Sequence, residues 1–167
     1  AYTHMHAVQD SIAHLFPDPA ERDQAHTCRM GINYEQFIPI MRMAPYLKPL
    51  LQNLRRRYKT AVATNRTDTM PRVMSDHGLE GYFDLVVSAA DVRRPKPHPE
   101  PLLKILDFFE VSPREMIYVG DSEVDRLAAA AAGIPLVAYR NRELAADFHV
   151  DDMQALETLL LERNPTL

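Results

Sequence analysis

From residue 49 onward, short apolar runs alternate with amphipathic segments, and this alternation limits the possible folds more than any other feature. The predicted strands are residues 59–63, 84–87, 116–119 and 135–139, and the predicted helices lie near 46–57, 67–78, 99–109, 123–132 and 151–162. Strands that alternate with helices are typical of a parallel sheet covered by helices on both faces. The sequence therefore predicts an α/β fold with a Rossmann-like parallel sheet.

The first part of the chain follows a different pattern. It lacks a strand-like apolar run, and its apolar residues, such as Ile12 and Leu15, recur at helical spacing until Pro17 interrupts them. We therefore predict two parts: a helical, cap-like segment over residues 1–44 and the α/β core over residues 45–167.

Length and charge narrow the class of function. The chain has 167 residues, of which 46% are hydrophobic, which suits one core with a small accessory segment. Its net charge of -4 predicts neither a nucleic-acid surface nor a polybasic membrane anchor. Cys28 is the only cysteine, and no signal peptide or membrane-spanning run is recognisable. We expect a cytoplasmic protein whose partner is a small metabolite.

A pair of acids follows the third predicted strand. The apolar run ends at Gly120, Asp121 comes next, and Asp125 follows four residues later. In open parallel sheets ligands gather beyond the carboxyl ends of the strands, and Mg²⁺ prefers hard carboxylate oxygens. We predict that Asp121 binds Mg²⁺ directly and that Asp125 binds it or holds a coordinated water. Ser122 and Asp125 also fit a helix capping box, which is compatible with metal binding.

Two further polar positions precede this pair. Thr64 and Asn65 close the first predicted strand, and a phosphoryl oxygen could be held there by the Thr64 hydroxyl and by N–H groups at a helix start. Simple helix capping is the alternative. Lys96 lies between Pro95 and Pro97, which stiffen the backbone and favour a fixed cation over a freely solvated one. Such a cation would neutralise phosphate and keep nearby carboxylates ionised.

In this order, the three motifs resemble those of the haloacid dehalogenase-like hydrolase superfamily, and most closely its phosphoglycolate phosphatase and β-phosphoglucomutase branch. The matching positions are Thr64 and Asn65 for the second motif, Lys96 for the third and Gly120 to Asp125 for the fourth. Residues 1–43 resemble part of the helical cap of that branch. The resemblance implies a Mg²⁺-dependent phosphatase for a small phosphate monoester, with phosphoglycolate as the leading candidate. Thr64 and Lys96 would be catalytic, and together with Asn65 they would bind the phosphate.

The sequence departs from the family pattern at one motif. The first motif of the family is an apolar strand that ends in Asp-x-Asp, whose first aspartate attacks phosphorus and whose second serves as acid and base. The 167 residues contain no Asp-x-Asp. Because that strand lies in the middle of the family's sheet, we expect strand edges here with unpaired backbone groups.

Three explanations of this departure stay open. The first and preferred one is that these residues are part of a longer, active enzyme. The second is a short protein that keeps a phosphate and metal pocket without turnover. The third is an assembly module whose sheet another chain completes. In each case we expect negligible phosphatase activity from the 167 residues, since both the nucleophile and the general acid are absent.

Overall fold

The computed structural model describes residues 8–162, which form a parallel α/β fold. The strands are β1 (Ala61–Ala63), β2 (Leu85–Val87), β3 (Tyr118–Gly120), β4 (Leu136–Tyr139) and β5 (Phe148–Val150). The α-helices are α1 (Val8–Leu15), α2 (Pro19–Met30), α3 (Leu47–Leu54), α4 (Met70–Asp76), α5 (Glu100–Phe109), α6 (Glu123–Ala132) and α7 (Met153–Glu162). Short 3₁₀ helices cover Tyr34–Ile40, Ala89–Asp91 and Pro113–Glu115. Residues 1–7 of the predicted cap-like segment lie outside the described residues.

All strand pairing in residues 8–162 is parallel, as the sequence predicts. The strands form two sheets, with the orders β2-β1 and β3-β4-β5. In the larger sheet Tyr118 lies opposite Leu136, and Val137 lies opposite Phe148. Within the described residues, β1 and β3 therefore each pair with a strand on one side only.

Helices cover both faces of the larger sheet. Successive residues of β4 alternate between two apolar clusters: Leu136 and Ala138 belong to one, and Val137 belongs to the other. The first cluster is closed by α5 and α6, through residues that include Leu102 and Ala128, and the second by α3 and α7. This layered arrangement confirms the predicted fold class.

Proline and glycine lie near the ends of the helices before the core. Helix α1 ends at Leu15, and α2 begins with Pro19 in its first turn after Asp18, whose side chain accepts hydrogen bonds from the N–H groups of Ala20 and Glu21. Gly31 follows the last residue of α2. None of the helices between residues 8 and 162 combines the length and apolar composition needed to cross a bilayer.

Candidate phosphate and metal site

A buried lysine lies at the centre of the site. The Lys96 Nζ atom donates to Asp125 Oδ1 at 2.6 Å, to the Tyr118 hydroxyl at 2.7 Å and to the Ala63 carbonyl at 3.0 Å. Only 9% of Lys96 is exposed. Because Ala63 ends β1 and immediately precedes Thr64, this one ammonium group connects the carboxyl end of β1 to the first turn of α6, which follows β3.

The Asp125 carboxylate is held by donors on both oxygens. Its Oδ1 accepts from Lys96 Nζ and from the Tyr118 hydroxyl, at 2.6 and 2.8 Å. Its Oδ2 accepts from the Ser122 hydroxyl at 2.5 Å and from the backbone N–H groups of Asp121 and Ser122. Burial raises the pKa of Asp125, but the Lys96 charge and these hydrogen bonds outweigh burial, so the pKa lies below its ordinary value. Asp125 is therefore an anion at neutral pH.

Tyr118 is a site residue that the motif comparison missed. Burial, followed by the charge of Asp125, raises the pKa of its hydroxyl, so the group stays protonated and donates to the carboxylate. In the sequence, Tyr118 looks like an ordinary strand residue. The available signal was its hydroxyl, because a tyrosine buried in a strand needs a hydrogen-bond partner.

Gly120 is required for space. A Cβ atom at this position would lie 2.5 Å from Asp125 Cβ and 2.7 Å from Asp125 Cγ. These separations are too short for any side chain, so the close approach of Asp125 to the end of β3 depends on glycine. The Gly-Asp-x-x-x-Asp spacing thus brings the second acid back against the strand end.

Asn65 joins the first loop to the lysine loop. Its Nδ2 donates to the Lys96 carbonyl at 2.7 Å, and its Oδ1 accepts from the Lys96 N–H at 3.0 Å. The Lys96–Pro97 peptide bond, next to this pair of hydrogen bonds, is cis. Asn65 thereby fixes the backbone that carries the central cation. Its predicted contact with phosphate stays a prediction, and its amide already bonds to Lys96 at both ends.

The surroundings of Thr64 differ from the sequence prediction. Helix α4 begins at Met70 rather than near residue 67, so the N–H groups just after Thr64 lie in a turn and not at a helix start. The reason is local hydrogen bonding: Thr64 Oγ1 accepts from the Arg66 N–H at 3.1 Å, and the Arg66 carbonyl accepts from the Ala89 N–H at 3.0 Å. The predicted helix start near residue 67, just after Thr64, is therefore wrong, while the Thr64 hydroxyl remains at the end of β1.

Asp121 presents the exposed carboxylate of the site. Its main chain is fixed, because its N–H donates to Asp125 Oδ2 at 3.3 Å and its carbonyl accepts from Asn141 Nδ2 at 2.8 Å. No hydrogen bond found within residues 8–162 uses its side-chain oxygens. Asn141, which follows β4, gave no signal in the sequence because its position beside Asp121 depends on strand pairing.

The carboxylates of the site are the type of ligand that Mg²⁺ prefers, but they are too few to complete its coordination shell. Hard carboxylate oxygens are the ligands that Mg²⁺ prefers, and Asp121 offers a carboxylate that accepts no hydrogen bond found within residues 8–162. Both oxygens of Asp125 already accept hydrogen bonds. No group of three or more His, Cys, Asp or Glu side chains in the described part of the chain could hold a metal ion. A complete metal shell would thus need water, phosphate or ligands beyond these residues.

Comparison with known proteins decides the family. The family model described as haloacid dehalogenase-like hydrolase matches residues 5–139. The chain belongs to this family. The resemblance drawn from the motifs around Thr64, Lys96 and Asp121 is thereby confirmed.

Three similar proteins show the breadth of this family. Pyrophosphatase PpaX of Bacillus mycoides is 30% identical over 123 residues, covering 72% of this chain and 57% of its own length. A plasmid-encoded phosphoglycolate phosphatase of Cupriavidus necator is 34% identical over 126 residues, covering 70% and 54%. A crystal structure of a HAD-superfamily hydrolase, subfamily IA, from Geobacter sulfurreducens superposes with a TM-score of 0.75 and 41% identity, covering 94% of this chain and 74% of that one. This chain thus spans little more than half of the two curated relatives.

Proposed function

We propose that these residues form the phosphate- and metal-binding part of a Mg²⁺-dependent phosphatase for a small phosphate monoester. The observation that carries this proposal is the contact of the Lys96 ammonium with both the end of β1 and the Asp125 carboxylate, at 3.0 and 2.6 Å. This contact brings the loops that bear Thr64 and Asp121 together at the carboxyl ends of the strands, where α/β folds bind ligands. The relatives named phosphoglycolate phosphatase support a small two-carbon substrate.

Each side chain has a distinct role in this proposal. The Thr64 hydroxyl accepts from the Arg66 N–H and so keeps its own proton free to donate to a phosphoryl oxygen. Lys96 has all three N–H groups engaged, so it acts on phosphate through its charge. Asp121 would contact Mg²⁺, and Asp125 would orient the loop around it. When bound, Mg²⁺ would supply Lewis-acid stabilisation of charge on the phosphoryl oxygens.

Phosphoryl transfer needs a group that these residues do not contain. Formation of an aspartyl-phosphate requires an aspartate aligned with phosphorus, and the 167 residues contain no Asp-x-Asp to supply it. We therefore propose that the site binds phosphate and metal here, and that hydrolysis requires an acid from additional polypeptide. The alternative function, a catalytically inactive phosphate-binding or assembly protein, is favoured by the same missing motif.

Replacing Asp121 with Asn is expected to weaken Mg²⁺ binding by more than about tenfold, because the exposed carboxylate is the one available for direct coordination. Calorimetric titration of the 167-residue chain with Mg²⁺, in the presence of inorganic phosphate, measures the effect. The matched control is Asp107→Asn, which removes an exposed acid from α5. Equal Mg²⁺ affinity in wild type and Asp121→Asn would refute the ligand assignment. Mg²⁺-dependent phosphate release by the wild-type chain alone would refute the need for an added acid.

A further inference from the structure

Arg66 is a partly buried cation in the loop that carries Thr64. Its N–H donates to Thr64 Oγ1 at 3.1 Å, and its carbonyl accepts from the Ala89 N–H at 3.0 Å. These two hydrogen bonds hold the main chain of Arg66 between the loops that follow β1 and β2. The side chain of Arg66 therefore starts from a fixed position, two residues beyond the Thr64 hydroxyl.

The guanidinium group of Arg66 has neutral partners within residues 8–162. Its Nη1 donates to the Thr69 hydroxyl at 3.2 Å, and its Nη2 donates to the Met41 sulfur at 3.4 Å. A thioether sulfur is a weak acceptor, and a guanidinium has five N–H donors, of which these bonds use two. Arg66 thus keeps donors that are available to a ligand.

Acidic side chains close to this loop are engaged with other donors. Asp68 accepts from the Thr67 hydroxyl at 2.7 Å, and Asp91 accepts from the N–H and the hydroxyl of Ser88 at 2.8 and 2.6 Å. None of the ion pairs found in the described part of the chain includes Arg66. A cation that is partly withdrawn from water and lacks an anionic partner favours an anionic ligand.

The contacts of the guanidinium group place it where the cap-like segment meets the core. Thr69 immediately precedes α4, and Met41 follows the 3₁₀ helix Tyr34–Ile40 of the cap-like segment. The Cα atoms of Thr64 and Arg66 are two residues apart and so are separated by at most about 7 Å. A small molecule held at its phosphate by Thr64 therefore has its other end within reach of the Arg66 side chain.

Neighbouring cations are less suited to this second contact. The three N–H groups of Lys96 already donate to protein oxygens. Arg94 lies 4.0 Å from Glu100, and its side chain is 71% exposed, so water competes for its donors. Arg66 combines partial burial, a fixed main chain and unused donors next to the predicted phosphate site.

We propose that Arg66 determines substrate specificity by binding a carboxylate at the end of the substrate opposite its phosphate. The planar guanidinium can donate two parallel hydrogen bonds to a carboxylate, which an ammonium group cannot match in geometry. The site would then select short phosphorylated acids over neutral phosphate esters of the same size. This inference rests on the proposed function, because the phosphate must first bind beside Thr64 and Lys96.

The test compares two probes that differ at one end. In 2-phosphoglycolate the phosphate ester carries a carboxylate, and in ethyl phosphate a methyl group takes its place. Calorimetric titration of the 167-residue chain in saturating Mg²⁺ should show about tenfold tighter binding of 2-phosphoglycolate, the size expected of a charge-assisted hydrogen-bonded contact. Arg66→Met should abolish this preference, and Arg66→Lys should retain part of it, since lysine keeps the charge but not the paired donors.

A reversed preference would exclude a purely structural role of Arg66. Arg66→Glu should bind O-phosphoethanolamine, whose ammonium group replaces the carboxylate, more tightly than 2-phosphoglycolate. The matched control is Arg72→Met, because Arg72 also contacts the cap-like segment, through Glu35 at 2.9 Å, but lies within α4. This control should keep the wild-type preference. Each readout is a ratio of two affinities in one protein, so a loss of stability that weakens both probes equally does not imitate the result.

The outcomes separate this inference from the proposed function. A wild-type chain that binds inorganic phosphate and both probes without preference would overturn the role of Arg66 and leave the phosphate site intact. A preference that survives in Arg66→Met would overturn it as well, since the carboxylate would then be bound by Mg²⁺ or by another residue. Failure of the wild type to bind any of these phosphates would overturn the proposed function and this inference together.

Discussion

Replacing Lys96 with Met is expected to lower the free energy of unfolding by about 3–5 kcal/mol, because it leaves a buried carboxylate without its cation. The Lys96 Nζ and Asp125 Oδ1 atoms lie 2.6 Å apart, with side chains 10% and 7% exposed. Methionine keeps the apolar length of the side chain but donates no hydrogen bond to Asp125, Tyr118 or Ala63. Urea unfolding followed by circular dichroism measures the loss.

The matched control for this variant is Lys59→Met. Lys59 also forms an ion pair, with Asp84 at 3.1 Å, but its side chain is 71% exposed, so its loss should cost less than about 1 kcal/mol. Equal losses in the two variants would contradict the central role of the buried pair.

The loss in free energy of unfolding caused by Lys96→Met should also depend on pH. In the wild type, the pKa of Asp125 is lowered, so its contribution to stability is present above the unfolded pKa of about 4 and is lost as the pH falls through the folded value. Without the Lys96 charge, burial raises the pKa of Asp125, and protonation then relieves the destabilisation. The difference in stability between wild type and variant should therefore shrink as the pH is lowered. A difference that is constant with pH would mean that Asp125 is not its cause.

Replacing Gly120 with Ala is expected to destabilise the fold by about 1–3 kcal/mol and to displace Asp125, because overpacked sites must shift backbone or side chains. The added Cβ would meet the Asp125 Cβ and Cγ at 2.5 and 2.7 Å, which are not the far end of a flexible side chain. Displacement would lengthen the contacts to Lys96 and Tyr118, so Mg²⁺ affinity should fall together with stability. Thermal unfolding and Mg²⁺ titration of the same sample measure both.

The control for this variant is Gly31→Ala. Its Cβ would approach the Cys28 carbonyl at 3.4 Å, which is an ordinary contact, and the backbone there has φ of -79°. The change should be within about 0.5 kcal/mol. If Gly120→Ala were as harmless as Gly31→Ala, the close approach of Asp125 to β3 would not be required.

The sequence predicted the elements of the core because their local signals agree with the fold. Helix α6 occupies the predicted residues 123–132, since Ser122 caps its start and Gly133, with φ of 71°, ends it. Strand β5 was not predicted, because three residues with His149 in the middle carry little strand signal without a neighbour to pair with. The late start of α4 was missed because it depends on the turn closed by Thr64.

The site was predictable as a set of motifs and not as a set of contacts. Asp121 follows a predicted strand, and Lys96 lies in a rigid proline segment. These positions indicated that the two side chains converge at one edge of the sheet. The sequence did not predict that Asn65 would fix the Lys96 backbone or that Tyr118 and Lys96 would both bond to Asp125. These contacts depend on distances across strands, which the sequence does not state. Such contacts need the register of the sheet.

The most direct test of the account is a ¹⁵N NMR titration of the 167-residue chain with inorganic phosphate and Mg²⁺ added together. The central claim is that the loops bearing Thr64, Lys96 and Asp121 form one binding site. We expect the largest shift changes at residues 64–66, at Lys96 and at residues 120–125, with one common affinity for all three loops. Changes confined to one loop, or distinct affinities for different loops, would contradict a shared site.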